Sequence, residues 1–141
     1  MRCSVRSLAM LACGALAMYY NSIDQHASAS IGEALGALIT ANSPLEELYI
    51  HNCQAGDSGL GPLVDALPCN TYLHTLWLES NGMTQTFAEK RLLPAVHANT
   101  SLRTLMAISH QDGPGGAAGA AQRFVYDREE ARVAAEDDAE L

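Results

Sequence analysis

The sequence predicts an α/β fold in which short strands and amphipathic helices alternate as a short solenoid, with a concave parallel sheet and convex helices. Two periodicities carry that prediction. The first is a strand pattern, Leu45-Glu46-Glu47-Leu48-Tyr49-Ile50-His51-Asn52-Cys53. It returns as Leu73-His74-Thr75-Leu76-Trp77-Leu78-Glu79-Ser80-Asn81, and again as Leu102-Arg103-Thr104-Leu105-Met106-Ala107-Ile108-Ser109-His110. Leu45, Leu73 and Leu102 open the three copies, at successive intervals of 28 and 29. The second is an apolar helical stretch ending in Asn ahead of each strand, at 31–42, 60–70 and 92–99. Asn42, Asn70 and Asn99 follow the same intervals. Two independent signals with one period mark a repeated supersecondary unit.

The elements follow in chain order. Residues 1–18 carry Arg2 and Arg6, then an apolar run over 8–18 with the small-residue stretch Ala15-Leu16-Ala17 near its end. Two readings of this region stand. One is a secretory signal peptide. The other is a first, weaker copy of the repeat, Cys13-Gly14-Ala15-Leu16-Ala17-Met18-Tyr19-Tyr20-Asn21, with Leu16 in the place that Leu48 takes in the next copy. The interval between those two Leu is 32, so about one helical turn is inserted before Ile31. The apolar run is too short to span a bilayer as a helix. In the next stretch Ile31, Ala34, Leu35, Leu38 and Ile39 recur at steps of three and four, the spacing of one helical face; Leu60, Leu63, Val64 and Leu67 do the same. Each L-x-L strand core sends alternate residues to opposite sides of a sheet. The Leu residues then face the helices, and the Asn or Cys that follows sits at the turn, where a small polar group satisfies backbone groups. One such unit cannot cover its own apolar face, so stacking supplies the stability. Asp57-Ser58-Gly59-Leu60-Gly61-Pro62 reads as a strand-to-helix loop with Asp57 or Ser58 as the helix cap. After Gln111 a Gly/Ala-rich stretch reads as a linker, and the segment beyond it as a partly helical acidic tail with a sparse stripe of Phe124, Val125, Val133 and Leu141. The domain limits implied are 8–112 for three to four repeats and 113–141 for linker and tail.

Composition fits that picture. The chain has 141 residues, suited to one domain, and is 48 % hydrophobic and 17 % charged, so a core can form. Aromatics make up 6 %, which leaves Leu, Ala, Ile and Val to fill thin layers. The net charge is −8, and from Asp127 onward seven acids face two arginines. No Lys/Arg cluster in the sequence can neutralise a row of phosphates, which argues against nucleic acid as a partner. The four Cys contain no CxxC pair, so zinc and thioredoxin-like readings lack support.

The strand pattern, the 28/29 alternation and the helices ending in Asn together resemble the ribonuclease-inhibitor-like leucine-rich repeat family. The resemblance covers about residues 8–112 and implies a horseshoe segment. Cys13, Ala107 and His110 depart from the pattern, in the end copies. In that family the concave strand residues that point away from the core make partner contacts. Carried to this sequence, they are Glu47, Tyr49 and His51; Thr75, Trp77 and Glu79; Thr104, Met106 and Ile108. Tyr49, His51, Thr75, Trp77, Glu79 and Met106 are the partner-contact candidates, since large aromatic side chains supply contact area at low entropic cost. The alternative is that this row only covers the sheet or lies beneath the C-terminal tail. The resemblance implies an intracellular, cytoplasmic module that binds another protein. Two alternatives stay open: a secreted acidic repeat protein with a basic partner, and a regulator of a GTPase.

Chemistry is sparsely signalled. His51 and Cys53 are close in sequence, but the repeat assigns Cys53 to the turn. His26, His97 and His110 have no acid at useful spacing, and His74 reads as a strand-surface residue. The glycines of the 57–62 stretch lack the Lys-Ser/Thr ending of a phosphate loop. Asn99-Thr100-Ser101 is a formal glycosylation sequon, equally explained by the repeat. Arg103 has no neighbour in sequence that would support a nucleotide-directed role. The expectation is a non-enzymatic protein without cofactor or metal.

Overall fold

A computed structural model of the chain describes residues 8–11, 15–19, 25–108 and 115–140. It is a mixed α/β structure around one sheet. Strands β1 (Leu8–Leu11), β2 (Ala15–Tyr19), β3 (Glu47–His51), β4 (Thr75–Trp77) and β5 (Thr104–Met106) lie side by side in sequence order. β2 to β5 pair parallel, whereas β1 pairs antiparallel with β2. The antiparallel edge strand departs from the all-parallel sheet expected. The helices are α1 (Gln25–Thr40), α2 (Gly56–Ala66), α3 (Gln85–Phe87), α4 (Leu93–Ala98) and α5 (Gly116–Ala139). Cys13, His110 and Leu141, and the calls made on residues 1–7, fall outside the described residues.

Alternation explains the strands. In β3, Leu48 and Ile50 are buried between half-buried Glu47, Tyr49 and His51; in β4, Leu76 is buried between Thr75 and Trp77. Leu48, Leu76 and Leu105 stand opposite one another across the sheet. They join Leu60, Leu63, Val64, Leu92 and Val96 from the helices in one apolar core. Full burial of each Leu contributes about 1.5–3 kcal/mol.

The buried face of α1 differs from the periodicity reading. Ala34 and Leu38 are exposed; Gly32, Leu35, Gly36 and Ile39 are buried. The reason is close backbone approach. A Cβ on Gly32 would overlap the Gly59 carbonyl oxygen, and one on Gly36 would lie 2.7 Å from the Pro62 carbonyl oxygen. α1 and α2 therefore touch through main chain, and small residues, not bulky ones, define the contact.

The second and third strand–helix connections also reveal how an interval of 28 becomes 29. Gly59 and Leu60 of α2 match the buried Phe87 and Ala88 at an interval of 28, but Leu63 and Leu67 match Leu92 and Val96 at 29. Between those pairs lies a π turn, Ala88–Leu92, joining α3 to α4. A π turn accommodates one extra residue without losing the helix axis.

Three buried asparagines, Asn70, Asn81 and Asn99, link successive layers. The Asn70 side-chain amide donates to the Ile39 carbonyl at 3.0 Å, while its oxygen accepts from Leu73 N–H at 2.7 Å and Tyr72 N–H at 3.0 Å. Asn99 repeats the arrangement, donating to Leu67 O at 2.8 Å and accepting from Leu102 N–H at 2.8 Å and Ser101 N–H at 3.0 Å. Asn81 works at the opposite ends of the strands: it donates to Ile50 O and Leu78 O and accepts from Cys53 N–H at 3.0 Å. Each amide thereby satisfies N–H groups that the sharp turns leave unpaired, and those of Asn70 and Asn99 add a second donor to the Ile39 and Leu67 carbonyls, which already accept from Asn42 N–H and Asn70 N–H.

The turn after each strand is tight. Asn52 and Gln54 hold φ values of 56° and 54° after β3, and Ser80 and Gly82 hold 57° and 71° at the matching positions after β4. The loop does not cap α2 as expected. No side chain caps that helix; the Asp57 carboxylate instead accepts from Thr84 N–H at 2.9 Å and Thr84 Oγ1–H at 2.6 Å. Thr84 is in turn the cap of α3, accepting from Phe87 N–H at 3.1 Å. Asp57 thus ties one loop to the next.

The Gly/Ala-rich stretch expected as a linker is helical from Gly116 onward. Ala117, Gly119, Ala121 and Val125 are buried, because their small volume lets α5 approach β5 and α4. Gln122 and Arg128 then finish the stack. The Gln122 side-chain oxygen accepts from Ala107 N–H at 2.9 Å and Ile108 N–H at 3.4 Å, the groups a following strand would bind. The Arg128 guanidinium donates to Asn99 O and, at 2.6 Å, to Leu102 O. Asn99 makes the corresponding bond to Asn70 O one layer earlier, at 3.2 Å. Phe124 stacks against His97 of α4, ring centroids 4.1 Å apart. Burial lowers the pKa of Arg128 from its ordinary value.

Candidate functional site

With its helices on one side, the sheet leaves its other face carrying the odd-numbered residues of β3 and the positions opposite them. Parallel register sets Ala17 beside Tyr49, Tyr49 beside Trp77 and Trp77 beside Met106. Glu47, Thr75 and Thr104 form the row at the strand starts. His51 lies at the end of β3, opposite Tyr19, and Glu79 lies just beyond the end of β4. The six residues singled out in the sequence therefore share one face. Tyr49, His51, Thr75, Trp77, Glu79 and Met106 are all half-buried.

The centre of that face is aromatic. Tyr49 and Trp77 meet edge to face, ring centroids 5.2 Å apart at 70°, an arrangement favoured by the ring quadrupoles. His51 leans on Trp77 from the next row at 5.9 Å. The Tyr49 hydroxyl donates to the Glu47 carboxylate at 2.8 Å, which fixes the ring's outer end. The Trp77 indole N–H is buried and has no hydrogen-bond partner among the described residues. Leaving a buried donor unpaired costs roughly 1–3 kcal/mol. Carboxylates stand toward both ends of the aromatic row, Glu47 at the strand starts and Glu79 beyond the strand ends.

Beyond Met106 the face continues into a groove of about 320 Å³ between β5 and α5. Thr104, Met106 and Ile108 form one wall, and Gly119, Gln122, Arg123 and Tyr126 form the other. Tyr126 is 59 % exposed. Its hydroxyl donates to Glu130 at 2.8 Å, and that bond, with the carboxylate's charge, raises its pKa. The sequence reading missed these α5 residues. Their spacing over 119, 122, 123 and 126 is the signal that could have found them, since it traces one helical face.

Cys53 is wholly buried, and its thiol donates to the His51 carbonyl oxygen at 3.4 Å. His74 precedes β4, and its carbonyl accepts from the N–H groups of Arg103 and Thr104. Among the described residues no group of three His, Cys, Asp or Glu could hold a metal ion, and no helix is long and apolar enough to cross a membrane. No protein-family model matches the chain, and no curated protein matches its sequence.

Proposed function

We propose that this chain is a short leucine-rich repeat array whose open sheet face binds another protein, without catalysis of its own. The observation that carries the reading is the alignment of Tyr49, Trp77 and Met106 in one row, half-buried, with an unpaired indole N–H at its centre. Rigid, well-supported aromatic side chains are the usual anchors of protein interfaces. The repeat reading draws support from the asparagine links at Asn70 and Asn99 and from the matching dihedral angles of the turns after β3 and β4. The in-register pairing of β2 with β3 favours the first-repeat reading of that region over a cleaved signal peptide.

The test compares wild-type protein with Trp77→Ala and with Lys90→Ala, an exposed residue on the helical side. A partner captured by wild type is identified, purified and titrated against each variant. Trp77→Ala is expected to keep the wild-type circular dichroism spectrum and to bind at least about tenfold more weakly, the loss typical of an interface anchor. Lys90→Ala should bind as wild type. Unfolding of Trp77→Ala would make Trp77 a core residue, and unchanged affinity would move the interface elsewhere; either outcome sinks the proposal.

A further inference from the structure

A cavity of about 330 Å³ opens where the chain enters β4 and β5, between those entry loops and α5. Its lining includes His74, Ser101, Arg103, Arg128, Glu129 and Arg132. Of the Lys and Arg side chains within the described residues, three converge here, in a chain of net charge −8. Such convergence opposes the charge of the rest of the molecule. Arg128 is held by the backbone carbonyls of Asn99 and Leu102. Arg132 is held by Glu129 and Glu136. The exposed Arg103 guanidinium makes no hydrogen bond among the described residues. Glu129 is the one acid in the lining, and Arg132, with the charges of Arg103 and Arg128, holds its carboxyl below the usual carboxylate range. The site already favours an anion, and with Glu136 bonded to Arg132 from outside the lining, two carboxylates meet three arginines and leave one arginine charge uncompensated.

We propose that this cavity binds a phosphate group, free or as a monoester, at a site separate from the open sheet face. A monoester carries about −1.5 to −2 charge at neutral pH and is drawn to the uncompensated arginine charge. Guanidinium forks pair with phosphate oxygens in bidentate fashion. Arg103 supplies the free fork, Arg128 a pre-positioned one, and His74 a further nitrogen at the wall. The phosphate comes either as a free anion or on a phosphorylated residue of a partner, and the chemistry of recognition is shared.

Isothermal titration of the full chain at fixed ionic strength tests this with two probes, inorganic phosphate and a phosphoserine peptide, and with the unphosphorylated peptide as control. At least one phosphorylated probe should bind saturably at one site, and the control should not. Stronger binding of the phosphopeptide assigns the anion to a partner protein; equal binding assigns it to the free anion. Arg103→Ala, at an exposed position, should fold normally and weaken binding about tenfold or more. Glu129→Gln should tighten it several-fold by removing the competing carboxylate, and Lys90→Ala should leave it unchanged. The proposal is overturned if neither phosphorylated probe saturates, or if Arg103→Ala binds as wild type. Equal losses in Lys90→Ala and Arg103→Ala would also overturn it, by reducing the effect to overall charge.

Discussion

The buried asparagines show how single residues hold successive layers together. Removing the Asn99 side chain would strand the Leu102 N–H in the core, while the Leu67 carbonyl would keep the Asn70 N–H as its donor. A stranded N–H costs about 1–3 kcal/mol, so Asn99→Ala should lower unfolding free energy by about that amount in a denaturant titration. A loss under about 0.5 kcal/mol, the scale of an ordinary surface change, would show that water replaces the amide and that the link is dispensable. Gly32 offers a second residue-scale test. Ala is the better helix former by about 1 kcal/mol, yet its Cβ would overlap a backbone oxygen of α2. Neither helix backbone can yield cheaply, so Gly32→Ala should destabilise by about 1–3 kcal/mol. A stabilised variant would mean that α1 does not sit against Gly59. The asparagines were legible in the sequence because they recur at a fixed interval. Gly32 was not: hydrophobic periodicity finds bulky residues, and a contact made by the absence of a side chain leaves no apolar signal. For that reason Ala34 and Leu38 were assigned to a face that is exposed.

Among the elements, α5 departs most from its sequence pattern. Its stripe of large apolar residues is thin, and Val133 is exposed, so periodicity alone points to a linker and a tail. What anchors it is Ala117, Ala121 and Val125 at steps of four, with two polar side chains that finish hydrogen bonds left open by the last layer. Polar capping of this kind has no hydrophobic period and becomes visible only when the unpaired groups at β5 are located. The consequence can be measured. Gln122→Leu preserves volume but leaves the Ala107 N–H without its acceptor, and Arg128→Ala leaves two carbonyls without their donor. Each should cost roughly 1–3 kcal/mol, as expected for unsatisfied groups at least partly removed from water. Hydrogen exchange locates the effect: the Ala107 amide should lose protection in Gln122→Leu while the Leu48 amide keeps it. Loss of protection in both, or in neither, would deny α5 its capping role. The six residues of that sheet face were legible for the opposite reason. Strand alternation and a fixed register settle their common side without any knowledge of their partners, whereas the α5 residues bordering the same face required its docking to be known.

At the scale of the whole molecule, stability rests on strand–helix pairs that share one core. β3 with α2, β4 with α3 and α4, and β5 with α5 each bury one apolar face against a neighbour. The bonds from Asn70, Asn81 and Asn99, and the Asp57–Thr84 contact, all run between layers. In a long array such nearest-neighbour coupling permits partial unfolding from an end. Among the described residues the buried side chains form one contiguous core, so opening one strand–helix pair exposes its neighbour. The chain should therefore unfold in one cooperative step. Trp77, the only tryptophan, sits on β4 among the parallel strands, and its fluorescence follows the central layer. Far-UV circular dichroism is dominated by α1, α2 and α5 and follows the helices. The two transitions should superimpose in wild type and still superimpose in Arg128→Ala, displaced together to lower denaturant. If the dichroism in that variant falls first while Trp77 fluorescence holds, α5 unfolds as a separate unit. Coupling through the Arg128 bonds to Asn99 and Leu102 would then be too weak to make the layers one body.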